Sequence, residues 1–120
     1  NSKFVAEFIG ETNFVEATAS QNGLVTPFAE LKSTKKPEGI NVTCSIRPET
    51  ITVCDTPSDR NGFSGKCVET IYLGEVAQHQ VEVDGNLILR VMEVNPSHLG
   101  KVGDIMHLKV EPRDVVPLSS

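Results

Sequence analysis

The chain has 120 residues, of which 38% are hydrophobic and 22% charged, and it carries a net charge of −5. That composition suits one domain with a modest core, and it excludes wholesale disorder and a broadly basic surface for nucleic acid or anionic membrane. No apolar run is long enough to cross a bilayer as a helix, and the first residues lack the order of a secretory leader.

The elements follow in chain order. Phe4, Val5, Phe8 and Ile9 recur at helical spacing, so a short N-terminal helix is expected over residues 2–9, with Ser2 as N-cap and Gly10 as stop. So short a helix does not persist without packing, which points to a cut through a longer chain. Residues 14–19 then read as a strand. Asn22-Gly23 predicts a two-residue hairpin turn leading into Leu24 and Val25. Residues 31–39 are polar, contain Pro37 and Gly39, and read as a loop.

Residues 41–47 alternate cleanly, with Val42, Cys44 and Ile46 predicted inward and Thr43, Ser45 and Arg47 outward. Pro48 ends that strand because it cannot donate to a ladder. A second β run covers residues 51–54, and the Pro-, Ser- and Gly-rich stretch 55–62 is a loop. Residues 63–73 form a long strand whose inward phase starts at Phe63, Gly65 and Cys67, breaks around Val68 and Glu69, and is expected to resume at Ile71 and Leu73. A phase break of that kind predicts a bulge. The clearest hairpin has arms at 77–83 and 87–92 around Asp84-Gly85, a pair suited to a type I′ turn. Residues 96–103 connect it to a last strand at 105–110, with Met106, Leu108 and Val110 predicted inward. Pro112 ends that strand, and residues 115–118 add a short edge piece. Many short strands with frequent turns predict a small all-β barrel or sandwich.

Little in the chain reads as catalytic machinery. None of the glycines sits in a phosphate-cradling G-x-x-x-x-G-K-[ST] pattern or in G-x-G-x-x-G. Ser97-His98 are sequence neighbours in a loop without a nucleophile elbow, whereas a triad needs spatial neighbours. The carboxylate pairs Glu49/Asp55 and Glu82/Asp84 lie among polar and turn residues and read as solvated charge, and so does the basic pair Lys35-Lys36. Cys44, Cys54 and Cys67 contain no C-x-x-C, so they read as reduced thiols in a cytosolic setting. They lack zinc-ligand spacing with His79, His98 and His107, and no metal site is expected. His79 falls in phase with Val81 and Val83 on the face that should be buried. It reads either as a histidine satisfied by one hydrogen bond or as a polar group in a ligand pocket.

Four short pieces in order carry a family resemblance. They are Phe4-Val5-Ala6-Glu7-Phe8-Ile9-Gly10 followed by Asn13, then Ser45-Ile46-Arg47-Pro48-Glu49, then Tyr72-Leu73-Gly74, then Val102-Gly103-Asp104 followed by Ile105. Over nearly its whole length the chain resembles the TOBE (transport-associated OB) domain that follows the nucleotide-binding domain in bacterial ABC importers, nearest the polyamine and iron type. The resemblance implies an OB-like barrel of antiparallel strands, with residues 1–12 as the end of the ATPase domain and residues 13–120 as the barrel.

The resemblance also implies a regulatory or dimerising role for an ATP-hydrolysing subunit at the cytoplasmic face of the bacterial inner membrane. No cofactor is expected in this fragment, since ATP and Mg would bind upstream. The implied partners are a second copy of the subunit and the membrane permeases, not nucleic acid. Arg47, Glu49, Tyr72 and His79 are the candidate ligand or interdomain contacts. The alternative is a module sensing a small ligand, either an oxyanion or a polyamine. A nucleic-acid role for an OB fold is disfavoured by one Tyr, five Phe, no Trp and the acidic balance.

Overall fold

A computed structural model describes residues 12–84, 86–96 and 101–118. The expected helix at residues 2–9, Gly85 of the hairpin turn and the Ser97-His98 pair lie outside the described residues. The rest is all β, with ten strands and two single-turn 3-10 segments at Pro48–Thr50 and Pro112–Asp114. The strands are β1 Asn13–Ala19, β2 Leu24–Val25, β3 Glu30–Leu31, β4 Asn41–Ile46 and β5 Ile51–Cys54. They continue with β6 Gly62–Leu73, β7 Val76–Val83, β8 Leu87–Val94, β9 Ile105–Val110 and β10 Val116–Pro117.

These strands form two five-stranded antiparallel sheets, ordered β10-β4-β1-β2-β3 and β5-β9-β6-β7-β8. One core lies between them. Val15, Val42, Cys44, Ile46, Leu24 and Leu31 from the first sheet meet Phe63, Val81, Val83, Leu89, Val91, Leu108 and Val110 from the second. Burying one such aliphatic side chain stabilises by about 1.5–3 kcal/mol. Phe28 closes one side by stacking on Phe63, with centroids 4.8 Å apart and rings tilted by 48°.

A single closed barrel ladder, as expected, is not what the hydrogen bonds trace. Two asparagine amides join the sheets instead. Asn13 Nδ2 donates to Arg90 O and Arg90 N donates back to Asn13 Oδ1, both at 2.8 Å. This ties the start of β1 to the edge strand β8. Asn61 does the same for Lys32, which follows the opposite edge strand β3, again with two bonds of 2.8 Å. A primary amide offers a donor and an acceptor side by side, so it imitates one residue of a strand.

Local departures have local causes. The β1–β2 hairpin forms, but its loop is Ser20–Gly23, with Ser20 N bonded to Gly23 O, rather than a two-residue Asn-Gly turn. Leu31, expected in a loop, is fully buried on the two-residue strand β3. The bulge falls where the phase breaks, between Cys67 and Glu69. The extra residue, Val68, inverts the alternation, so Thr70 and not Ile71 continues on the face of Cys67. Gln78 lies in register with Ile71 and Met92 on the opposite face from His79. It is 2% exposed, and neither its amide nitrogen nor its oxygen finds a partner among the described residues. An unsatisfied buried group of this kind costs about 1–3 kcal/mol.

Candidate functional site

The bulge in β6 positions the most polar part of the interior. By restoring Thr70 to the inner face, it sets Thr70 directly across from His79 on β7. The antiparallel register of β7 with β8 then brings Glu93 beside the same ring. His79, only 3% exposed, is held at both nitrogens. Nδ1 lies 2.9 Å from Thr70 Oγ1, and Nε2 lies 3.0 Å from Glu93 Oε1. Thr70 Oγ1 in turn lies 3.0 Å from the sulfur of Cys67, itself 2% exposed.

The chemistry of the donors orders this chain. An ionised Glu93 accepts only, so Nε2 carries a proton. In the neutral ring Nδ1 then accepts from the Thr70 hydroxyl, whose oxygen lies against the Cys67 sulfur, while the thiol also reaches Glu69 O at 3.6 Å. The buried, fully engaged thiol is a structural member of this network rather than a presented nucleophile. Glu93 is the member that reaches outward, with its side chain 18% exposed.

The network forms the floor of a cleft of about 300 Å³. Asp55 after β5 and Asp104 before β9 add two more carboxylates to its wall, against the one ammonium of Lys101. Asp104 Oδ2 accepts from Lys101 N at 2.9 Å and fixes that turn. Cys54, Ile105, Met106 and His107 complete the rim, and His107 is oriented by Ser64 Oγ at 2.8 Å from Nδ1. The wall is thus carboxylate-rich with an apolar edge. Among the described residues, no group of three His, Cys, Asp or Glu side chains is placed to hold a metal ion.

Of the four residues singled out from the sequence, only His79 lines this cleft. Arg47 and Glu49 are exposed at the 3-10 turn that packs against β8, and no ion pair joins them among the described residues. Arg47 instead accepts at its carbonyl from Thr50 N and Oγ1. Tyr72 is 41% exposed near the far end of β6, outside the cleft. Thr70, Glu93 and Lys101 were missed; Asp55 reads from the sequence as solvated charge, and Asp104 only as part of a turn. Thr70 and Glu93 carry no motif; Thr70 meets His79 through the single-residue register change at Val68, and Glu93 meets it through the pairing of β7 with β8.

This fold and sequence place the chain in a known class: residues 44–118 match the TOBE domain family, and the chain belongs to it. Its relatives include the spermidine/putrescine import ATP-binding protein PotA of Roseobacter denitrificans, 33% identical over 115 residues, and that of Mesorhizobium japonicum, 31% identical over 107 residues. These alignments cover 83% and 82% of this chain but 30% and 29% of the relatives, so the chain spans about a third of their length. The fold is also that of the cytoplasmic molybdate-binding protein ModG, with a TM-score of 0.63 at 13% identity, covering 91% of this chain and 96% of the other. No helix among the described residues is long and apolar enough to cross a membrane.

Proposed function

We propose that this chain is the accessory domain of the ATP-binding subunit of an ABC-class importer, that it pairs two copies of that subunit, and that the imported solute is a polyamine. The observation that carries this reading is the TOBE match over residues 44–118, joined to about one-third identity with import ATP-binding proteins. The two sheets linked at their edges by Asn13 and Asn61 fit an OB-type barrel with an interrupted ladder. Residues 1–12 belong on this reading to the end of the ATPase domain, and ATP with Mg binds in the part of that domain upstream of Asn1. The subunit works at the cytoplasmic face of the membrane with the permeases. An accessory pair keeps two ATPase domains at high effective concentration while they open and close. Sedimentation equilibrium tests the pairing role: the expected result is a concentration-dependent dimer that hydrolyses no ATP. A monomer at every concentration removes that role, and hydrolysis by the purified chain removes the accessory reading.

A second reading has its own support in the cleft. Three carboxylates against one ammonium, beside an apolar rim, suit a small cation of the polyamine kind. On that reading the domain senses the solute and biases the subunit between its states. Calorimetry with spermidine is expected to give binding that Glu93→Gln weakens several-fold. The absence of heat, or equal binding by the variant, discards the sensor.

A further inference from the structure

The net charge of −5 conceals a local excess of positive charge. A second cleft, of about 560 Å³, opens between the β1–β2 hairpin and the loop that follows β3. Lys32, Lys35 and Lys36 line it from the loop, and Ser20 and Leu24 line it from the hairpin. Sequence alone presents only the adjacent pair Lys35-Lys36; the fold adds Lys32 and the hairpin's polar groups.

Two observations give this cleft the character of a binding site. First, all three lysines are exposed, and among the described residues none of their ammonium groups has a hydrogen bond or a carboxylate partner. Neither nearby acid forms an ion pair with them among the described residues: Glu30 receives the Ser20 hydroxyl at 3.0 Å, and Glu38 lies exposed further along the loop. Second, the backbone under the lysines is fixed to distant parts of the chain. Lys32 is bonded at both N and O to Asn61, Thr34 N donates to Pro112 O, and the Ser33 hydroxyl donates to Val115 O. Lys35 N closes on the Ser33 oxygen at 3.2 Å. Three like charges are therefore held around one concavity by a rigid base. Such an arrangement focuses potential in the cleft and carries much of its ordering cost before a ligand arrives.

We propose that this cleft binds a phosphate-bearing ligand. Ammonium groups act as compact point charges toward phosphate oxygens, and they need no fixed fork geometry. Three of them match at least two adjacent negative charges, carried by one polyphosphate or by neighbouring anionic headgroups. The phosphates come either from a free polyphosphate or from an anionic lipid headgroup, and the two sources separate experimentally.

The test uses the whole chain with two probes at low salt: inorganic pyrophosphate by calorimetry, and phosphatidylglycerol vesicles by co-sedimentation against phosphatidylcholine vesicles. The site variant is Lys32→Gln, Lys35→Gln and Lys36→Gln together. The control is Arg60→Gln, Lys66→Gln and Lys109→Gln, which makes the same three-charge change away from the cleft. Binding is expected to weaken by about tenfold in the site variant, to persist in the control, and to fall with added salt. Pyrophosphate binding assigns the free ligand, and binding only to the anionic vesicles assigns the headgroup. Circular dichroism confirms that the variants are folded, as expected for exposed positions. Failure of both probes to bind, or equal losses in site variant and control, overturns the proposal.

Discussion

At the residue scale, burial decides which polar groups titrate and which serve as structure. Cys44 is fully buried in β4. Burial pushes its thiol above the ordinary 9.0, and the Glu16 carboxylate adds to the shift. The unfolded chain therefore releases this proton before the folded one does. Below the unfolded value both forms hold the proton and stability is untouched. Above it the unfolded state gains, and stability declines until pH passes the folded value. Urea unfolding from about pH 8 to about pH 10.5 is expected to show a steeper loss in the parent chain than in Cys44→Val. Parallel curves would mean the thiol contributes nothing. His79 has both ring nitrogens engaged and fixes the Thr70 and Glu93 side chains around it.

At the element scale, the strands that alternate cleanly were readable from the chain alone, because a period of two with one buried face leaves a single solution. In β4 the buried residues are Val42, Cys44 and Ile46, and in β9 they are Leu108 and Val110, with Met106 packed at the margin. The hairpin around Asp84 forms, but Val83 pairs with Leu87, so three residues separate the arms instead of the two of the expected Asp-Gly turn, and Asn86 takes a left-handed φ of 59°. The cleft was less legible. A bulge is visible as a break in phase, but which face resumes depends on the number of extra residues, and that number decides whether Thr70 or Ile71 meets His79.

The asparagine links were invisible for a different reason. A side chain imitating backbone has no periodicity, and Asn13 and Arg90 lie 77 residues apart. Asn61 tests how much such a link is worth. Its φ of 48° is one that glycine adopts freely, so Asn61→Gly deletes the amide with little backbone strain. The expected loss is about 1–3 kcal/mol in urea unfolding. An unchanged midpoint would show that the link to Lys32 is incidental.

At the scale of the whole molecule, β4 is the organising strand of the first sheet. It takes β1 on one side and β10 on the other. Thr12 reaches Ser45 across a 2.6 Å hydroxyl contact, and Leu118 N donates to Thr43 O at 2.9 Å. Both ends of the described chain therefore flank the same strand, about two strand spacings apart across it and about four residues apart along it, or ~16 Å. A bridge of ~6 residues would span that gap, and the exposed turn at Thr56 and Pro57 offers a place to open the circle thus made. The order in which the strands are strung is thus separable from the shape they build, and this small domain can be entered and left by neighbouring polypeptide through one narrow doorway.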